Sequence, residues 1–198
     1  MKNALAMGGE IVQFEGRFDS KGDLLVYKLP TGDGGGAYEV AGINERYHPG
    51  KARELKTLIE SGQNKKALKE AVEYIEFITR PVRAFFPNEQ TADQNPGLEF
   101  ILRDVAFNRG LKGAATILQI ALGVTVDGFV GPKTKEEFGR QIASYGQSYV
   151  MHEVTRARET YERTTYPWKG NKRDESSKFW RGLANRWSKA QQSAGKFA

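Results

Sequence analysis

Two acidic residues near the start of the chain have the type and setting that glycoside hydrolysis requires. Glu15 follows a segment with helical apolar spacing, and Asp33 opens the glycine run in "GDGGGAYE". That reaction uses one carboxyl group that stays protonated and a second that is ionised. Phe14 and Phe18 flank Glu15, and apolar surroundings favour the protonated form of a carboxyl group. The pair is therefore a candidate acid and counter-carboxylate, with the distance between them left open.

The glycine run beside Asp33 weakens any helix or strand that includes it, because glycine loses the most backbone freedom on folding. A backbone without side chains lets a ligand approach closely. Gly35 and Gly36 are therefore candidate contacts for a bound polymer, although on this motif alone a plain surface loop is the favoured explanation. The run is not a phosphate-binding loop, since no Lys-Ser or Lys-Thr pair follows it and no GxGxxG pattern is present.

Other kinds of site find little support in the composition. The chain has no cysteine, which excludes disulfides, thiolate metal sites and cysteine nucleophiles. Its two histidines, His48 and His152, are far apart and form no HExxH pattern, so we expect no metal and no cofactor. His48, in "RYHPG", is expected to be structural.

The charge distribution points to an anionic partner. The net charge is +6, and residues 1–150 are neutral with 19 basic and 19 acidic residues. Residues 151–198 contain 11 basic and 5 acidic residues and so supply the excess. Nucleic acid, a lipid surface and an anionic cell wall would all attract such a segment. No helix-turn-helix, zinc finger or RNA-binding signature favours nucleic acid.

The elements that must position these residues are mostly helices. Apolar spacing predicts a helix over 3–15, a small β-hairpin over 17–29 closed by a proline, and glycines 34–36 as the following loop. Further helices are expected over 49–62 and 64–80, then a linker over 81–96 that is rich in Pro, Asn and Gln. Later helices are expected over 97–110, 113–123, from Lys133 and from Glu175. This is a mainly α fold with one small β element.

Several blocks of the sequence resemble a known family. "FEGRFDSKGD" with "GDGGGAYEVAGI" is similar to the N-terminal signature of glycoside hydrolase family 108. These are lysozyme-like N-acetylmuramidases of phage endolysins and bacterial secretion-activator proteins. "LQIALGVTVDGFVGPKT" resembles the peptidoglycan-binding region that follows in that family, and "RDESSKFWRGLANRWSKA" resembles its closing helix. The resemblance implies a lysozyme-like fold with the hairpin near the active site and a helical C-terminal part.

Carried over by position, the resemblance makes Glu15 the general acid and Asp33 the candidate second carboxylate. The chain departs from the pattern at Arg17 and Gly34, where glycine and proline are usual, and at Tyr38, where threonine is usual. These departures leave open whether Asp33 or Glu39 is the second group, and whether the reaction is retaining or inverting. The candidate substrate-binding residues are Gly35, Gly36, Tyr38, Tyr47 and Asn108.

The resulting prediction is a peptidoglycan hydrolase that cleaves the β-1,4 bond between N-acetylmuramic acid and N-acetylglucosamine. Residues 1–95 would form the catalytic part and 96–198 a helical peptidoglycan-binding part packed into the same globule. Alternatives are a lytic transglycosylase, a non-catalytic peptidoglycan-binding protein and a nucleic-acid-binding protein. We expect peptidoglycan as partner, no nucleic acid, no stable membrane insertion and a monomer. The N-terminus lacks a signal-peptide pattern, so synthesis in the cytoplasm and release by a holin or dedicated export are expected.

Overall fold

The structure is a computed structural model that describes residues 2–30, 36–164 and 178–198. It divides the chain into two compact units, Met1–Ile78 and Thr79–Ala198. The expected boundary between a catalytic and a binding part lay at 95/96, and the function of each part remains a prediction. The mainly α fold with a small β element is confirmed. No helix among the described residues is long and apolar enough to cross a membrane.

Three helices form most of the first unit: α1 (Lys2–Glu15), α2 (Pro49–Glu60) and α3 (Asn64–Thr79), whose last residue begins the second unit. Their predicted positions are confirmed to within two residues. Apolar side chains at helical spacing make the core, among them Met7, Ile11, Leu55, Ala71 and Ile75. At Gly8, α1 approaches α3 so closely that an added Cβ atom would lie 2.8 Å from the carbonyl oxygen of Val72.

A three-stranded antiparallel sheet lies between α1 and α2 in sequence, with β1 (Tyr27–Lys28), β2 (Tyr38–Val40) and β3 (Ile43–Asn44) in that order. Ala41 and Gly42 join β2 to β3 with φ of 51° and 74°. Positive φ at both central residues is the geometry of a type I′ turn, which matches the natural twist of paired strands. The predicted hairpin over 17–29 contributes an isolated bridge between Phe18 and Leu24 and the first strand.

The linker expected over 81–96 is wrong, because most of this segment is helical and packed. It forms a 3-10 helix (Arg80–Phe85) and α4 (Glu89–Gln94), and Val82, Phe86 and Ala92 are buried. The residues taken as linker signals are helix-start residues here. A proline occupies the first turn of the 3-10 helix, and Asn88 caps α4 by accepting a hydrogen bond of 2.9 Å from the N–H of Thr91.

Three long helices complete the second unit: α5 (Pro96–Leu122), α6 (Pro132–Thr164) and α7 (Lys178–Ala194). α5 packs against both α6 and α7. The helix break predicted at Gly110 appears inside α5, where φ is 68° and ψ is 172°. A second break of the same kind, not foreseen, lies at Gly146 in α6, with φ of 79° and ψ of 164°. Only glycine adopts this backbone region readily.

Candidate active site

Glu15 is the last residue of α1, and the structure explains why the helix stops there. The N–H of Gly16 donates a hydrogen bond of 2.7 Å to the carbonyl oxygen of Val12. A Cβ atom at position 16 would lie 2.7 Å from the carbonyl oxygen of Val12 and 2.6 Å from the ring of Phe18, so a larger residue would force the backbone to shift. Glu15 is partly buried.

Glu39 lies in the middle of the sheet. Its Cα is paired with Tyr27 of β1 on one side and with Asn44 of β3 on the other. Directly opposed residues of antiparallel strands point to the same face. We call the face that carries Tyr27, Glu39 and Asn44 the polar face of the sheet.

Arg17 connects this polar face to the end of α1. Its guanidinium carbon lies 4.7 Å above the centre of the Tyr27 ring, a cation–π contact. Its carbonyl oxygen accepts a hydrogen bond of 2.8 Å from the N–H of Leu25. Arg17, two residues after Glu15, therefore contacts the strand that pairs with Glu39. The sequence marked Arg17 only as a departure from the family pattern and gave Tyr27 no role.

Tyr38 points to the other face of the sheet. Successive side chains of a strand alternate, so Tyr38 and Glu39 lie on opposite sides. The ammonium group of Lys56, on α2, lies 5.5 Å from the centre of the Tyr38 ring. Val40, on the same side as Tyr38, is fully buried. The sheet thus separates these two candidate residues, and Glu39 alone of the two shares a face with Tyr27.

Of the candidate residues in the glycine loop, Asp33 and Gly35 lie outside the described residues, and Gly36 is described. Gly36 has φ of 98°, and a Cβ atom there would lie 3.0 Å from the backbone nitrogen of Arg46. The next residue, Ala37, donates its N–H to the Glu45 carboxylate at 3.0 Å. Gly36 therefore has a structural reason to be glycine, whatever it contacts in a complex.

Tyr47 projects from the segment between the sheet and α2, with 66% of its surface exposed. Its N–H donates to the side-chain oxygen of Asn44 at 3.0 Å, which ties this segment to the last strand. The neighbouring His48 has a structural contact, because its Nδ1 lies 3.0 Å from the Tyr74 hydroxyl. Burial lowers the pKa of His48 from its usual value. The guanidinium carbon of Arg46 lies 5.6 Å from the centre of the exposed Tyr47 ring.

Asn108 belongs to the second unit and has an internal partner. Its side-chain amide donates a hydrogen bond of 2.8 Å to the carbonyl oxygen of Asp104, one turn earlier in α5. Beside it lies a cavity of about 20 Å³, lined also by Arg158, Arg186 and Trp187. Such a volume suits one water molecule and is far too small for a sugar ring.

The loop that resembles a peptidoglycan-binding motif is organised by the buried side chain of Gln119. Its amide nitrogen donates to the Asp127 carboxylate at 2.7 Å and to the carbonyl oxygen of Phe129 at 2.9 Å. Its amide oxygen accepts from the N–H groups of Asp127 and Gly128. The hydrogen bond from Gln119 is the main cause of a lowered pKa at Asp127. The motif thus shapes the loop and leaves the Phe129 side chain 71% exposed.

Across residues 2–30, 36–164 and 178–198, no group of three or more His, Asp or Glu side chains could hold a metal ion. The candidate site residues described in the first unit are carboxylates, Arg17 and tyrosine rings. This set can exchange protons with a bound substrate and attract negative charge, as acid-catalysed cleavage of a glycosidic bond requires.

Comparisons with known proteins show the fold. No family model matches the chain. No curated protein matches it either. Among solved structures, SagA of Brucella abortus matches with a TM-score of 0.61 and 20% sequence identity. The match covers 100% of this chain and 97% of that chain. At this identity the likeness extends to the fold alone.

Proposed function

We propose that this chain is a peptidoglycan hydrolase of the muramidase type, with Glu15 as general acid. The observation that carries the proposal is the placement of Glu15. It is a partly buried carboxyl at the end of α1, and two residues later Arg17 reaches the strand opposite Glu39. The resemblance of the sequence to family 108 and the likeness of the whole fold to SagA support it.

In the proposed reaction, Glu15 donates its proton to the oxygen that links N-acetylmuramic acid to N-acetylglucosamine. The bond from the sugar C1 to that oxygen breaks, and positive charge develops on the ring. A second carboxylate, Glu39 or Asp33, stabilises that charge or activates the attacking water. Water supplies a hydroxyl group to C1. Its proton goes to Glu15 if the second carboxylate only stabilises the charge, and to the second carboxylate if that group activates the water; in the second case proton exchange with solvent restores the starting state.

The basic second unit would hold the enzyme on its polymeric substrate. Exposed cations lie along α7, including Arg181 and Lys189, and no acidic residue occurs between 176 and 198. Their attraction to the anionic wall would extend over about one Debye length, roughly 8–10 Å at moderate salt. The enzyme would act as a monomer at the wall, which it would reach from the cytoplasm by holin-dependent or export-dependent release.

The test compares the wild-type protein with Glu15→Gln on outer-membrane-permeabilised Gram-negative cells. The matched control is Glu60→Gln, the same change at a 59% exposed side chain at the end of α2. We expect wild type and control to clear the cells and Glu15→Gln to fail while still folding and sedimenting with sacculi. Clearing by Glu15→Gln at the wild-type rate would refute the assignment of the acid.

Mass spectrometry of the released fragments separates hydrolysis from the transglycosylase alternative. Hydrolysis leaves a reducing N-acetylmuramic acid end, whereas a lytic transglycosylase leaves a 1,6-anhydro end that is lighter by one water molecule. We expect the reducing end. A protein that binds sacculi without releasing any fragment would be a non-catalytic wall-binding protein, and the proposal would then be wrong.

A further inference from the structure

Arg17 presents an exposed guanidinium group that is stacked on a tyrosine ring. The guanidinium carbon lies 4.7 Å from the centre of the Tyr27 ring. A cation–π contact does not use the guanidinium N–H groups as hydrogen-bond donors to an oxygen, so they can still bind a ligand. Within the described part of the chain, no carboxylate forms an ion pair with this group. An arginine in this state is suited to bind a carboxylate with two parallel hydrogen bonds.

The backbone that carries Arg17 is held in place on both sides. The N–H of Leu25 donates to the Arg17 carbonyl oxygen at 2.8 Å, and Phe18 pairs with Leu24 in an isolated bridge. The turn between them is closed by the Asp19 carboxylate, which accepts the N–H groups of Lys21 and Asp23 at 2.8 and 2.9 Å. A ligand that binds Arg17 therefore meets a backbone already ordered by the fold, which lowers the entropy cost of binding.

The location of this arginine relates it to the proposed reaction. Arg17 follows Glu15 by two residues, and its stacking partner Tyr27 lies directly opposite Glu39 on the polar face of the sheet. The neighbouring cation Lys28 is paired with Tyr38 and so points to the other face. Arg17, in contrast, contacts the ring of Tyr27, which lies on the same face of the sheet as Glu39.

We propose that Arg17, supported by the Tyr27 ring, is a subsite that binds a carboxylate of the peptidoglycan strand. The subsite rests on the proposed function, since it would hold the strand whose glycosidic bond Glu15 protonates. Two sources supply carboxylates in this polymer: the peptide stem, and the lactyl group of N-acetylmuramic acid once the peptide is removed. Neutral oligomers of N-acetylglucosamine have the same linkage and no carboxylate.

The test compares variants of Arg17 on these three substrates. The variants Arg17→Gln and Arg17→Lys are compared with wild type on intact peptidoglycan fragments, on amidase-treated glycan strands and on neutral oligomers. A hydrogen bond to a charged group contributes about 1.5–3 kcal/mol, so Arg17→Gln should weaken carboxylate recognition about 10- to 100-fold. Arg17→Lys, which keeps the charge, should recover part of the loss. Binding and cleavage of neutral oligomers should not change.

The matched control is Arg53→Gln, which removes an exposed arginine from α2 in the same unit. It should leave all three substrates unaffected. Loss on intact fragments alone identifies the peptide stem as the source, and loss on amidase-treated strands alone identifies the lactyl group. Loss on both means that the subsite accepts either carboxylate. An equal loss on neutral oligomers, or no loss on any substrate, would overturn the subsite.

Binding measurements separate failure of the subsite from failure of the proposed function. Dissociation constants for the same three substrates are measured in the Glu15→Gln background, where no cleavage interferes. If wild type cleaves nothing but Arg17→Gln weakens binding to the carboxylate substrates selectively, the subsite stands and the hydrolase proposal fails. If wild type cleaves peptidoglycan and Arg17→Gln binds every substrate as before, the hydrolase stands and the subsite is wrong.

Discussion

The two units of the chain use their charged residues differently. In the second unit, Asp104 is fully buried and receives hydrogen bonds from Arg158 at 2.8 Å and Arg186 at 2.7 Å. The Glu99 side chain, 2% exposed, pairs with Arg83 at 2.6 Å. These pairs join α5 to α6, α7 and the 3-10 helix. In the first unit, the candidate carboxylate Glu15 is only partly buried, at the end of a helix.

This difference indicates which charges are available for chemistry. A buried charge must be paired, because taking it out of water without a partner costs several kcal/mol. Such a pair is committed to architecture and has no capacity left for a substrate. An exposed arginine at a chain turn, such as Arg17, can exchange water for a ligand. The second unit has the larger net charge, with 19 basic and 12 acidic residues, yet the proposed site lies in the first.

The largest expected difference between the two units concerns Glu15→Gln, which should lose activity without losing stability. A positioned general acid contributes about 10²–10⁴-fold to a reaction rate. We expect the rate of peptidoglycan cleavage to fall by that factor, measured on purified sacculi, while the urea midpoint of unfolding stays the same. A large drop in the midpoint would mean that Glu15 has an architectural role like that of Asp104.

Asp104→Asn should show the opposite pattern. Removal of this charge deprives the buried Arg158 and the partly buried Arg186 of the Asp104 carboxylate, and breaking a buried pair costs about 3–5 kcal/mol. We expect the free energy of unfolding in urea to fall by that amount. The control Asp93→Asn removes an ion pair to Arg83 from a 69% exposed side chain, which should cost less than about 1 kcal/mol. Equal effects of the two variants would contradict the comparison.

The helix breaks of the second unit give an effect of intermediate size. Gly110 and Gly146 have positive φ, and no atom lies within 4 Å of an added Cβ at either position. Gly110→Ala and Gly146→Ala should therefore destabilise through backbone strain alone, by about 1–3 kcal/mol each. Gly182→Ala, inside α7 and equally free of close neighbours, should instead stabilise by about 0.5–1 kcal/mol. Thermal unfolding of the three variants tests both signs.

His48 gives the smallest effect and concerns the first unit. Burial lowers its pKa, so the unfolded chain binds a proton before the folded one does. The associated stability is complete above the unfolded pKa, about 6.5, and is lost as the pH falls through it toward the folded pKa. We expect the melting temperature of wild type to fall more than that of His48→Gln between pH 7.5 and 5. His152→Gln, at a 60% exposed side chain, should behave like wild type.

The helices were predictable because their signals are local. In each helix, apolar residues recur every three or four positions, as they do around Ile11, Leu55, Ile75 and Leu102. The glycine that ends α1 is adjacent to the last residue of that helix. The segment 81–96 was mistaken for a linker because proline and asparagine start helices as well as loops. What decides between these outcomes is burial of Val82 and Phe86 by distant parts of the chain, which no local pattern records.

The candidate site was predictable in its residue types but not in its arrangement. Tyr38 and Glu39 are neighbours in sequence, and only the register of the sheet shows that they face opposite ways, with Glu39 beside Tyr27. Arg17 looked like a departure from a glycine pattern until its stacking on Tyr27 was visible. The placement of Asp33 stays a prediction, since that residue lies outside the described part of the chain.

The sequence by itself determined the helical periodicity, the glycine that ends α1 at Glu15, the absence of cysteine chemistry and the basic C-terminal part. These depend on residue types and on spacings of a few positions. Only the tertiary structure decided which charges are buried in pairs and which remain accessible. Arg158 and Arg186 reach Asp104 across separations of 54 and 82 residues. Pairings at such distances depend on how whole helices pack, and that information is spread over the entire chain.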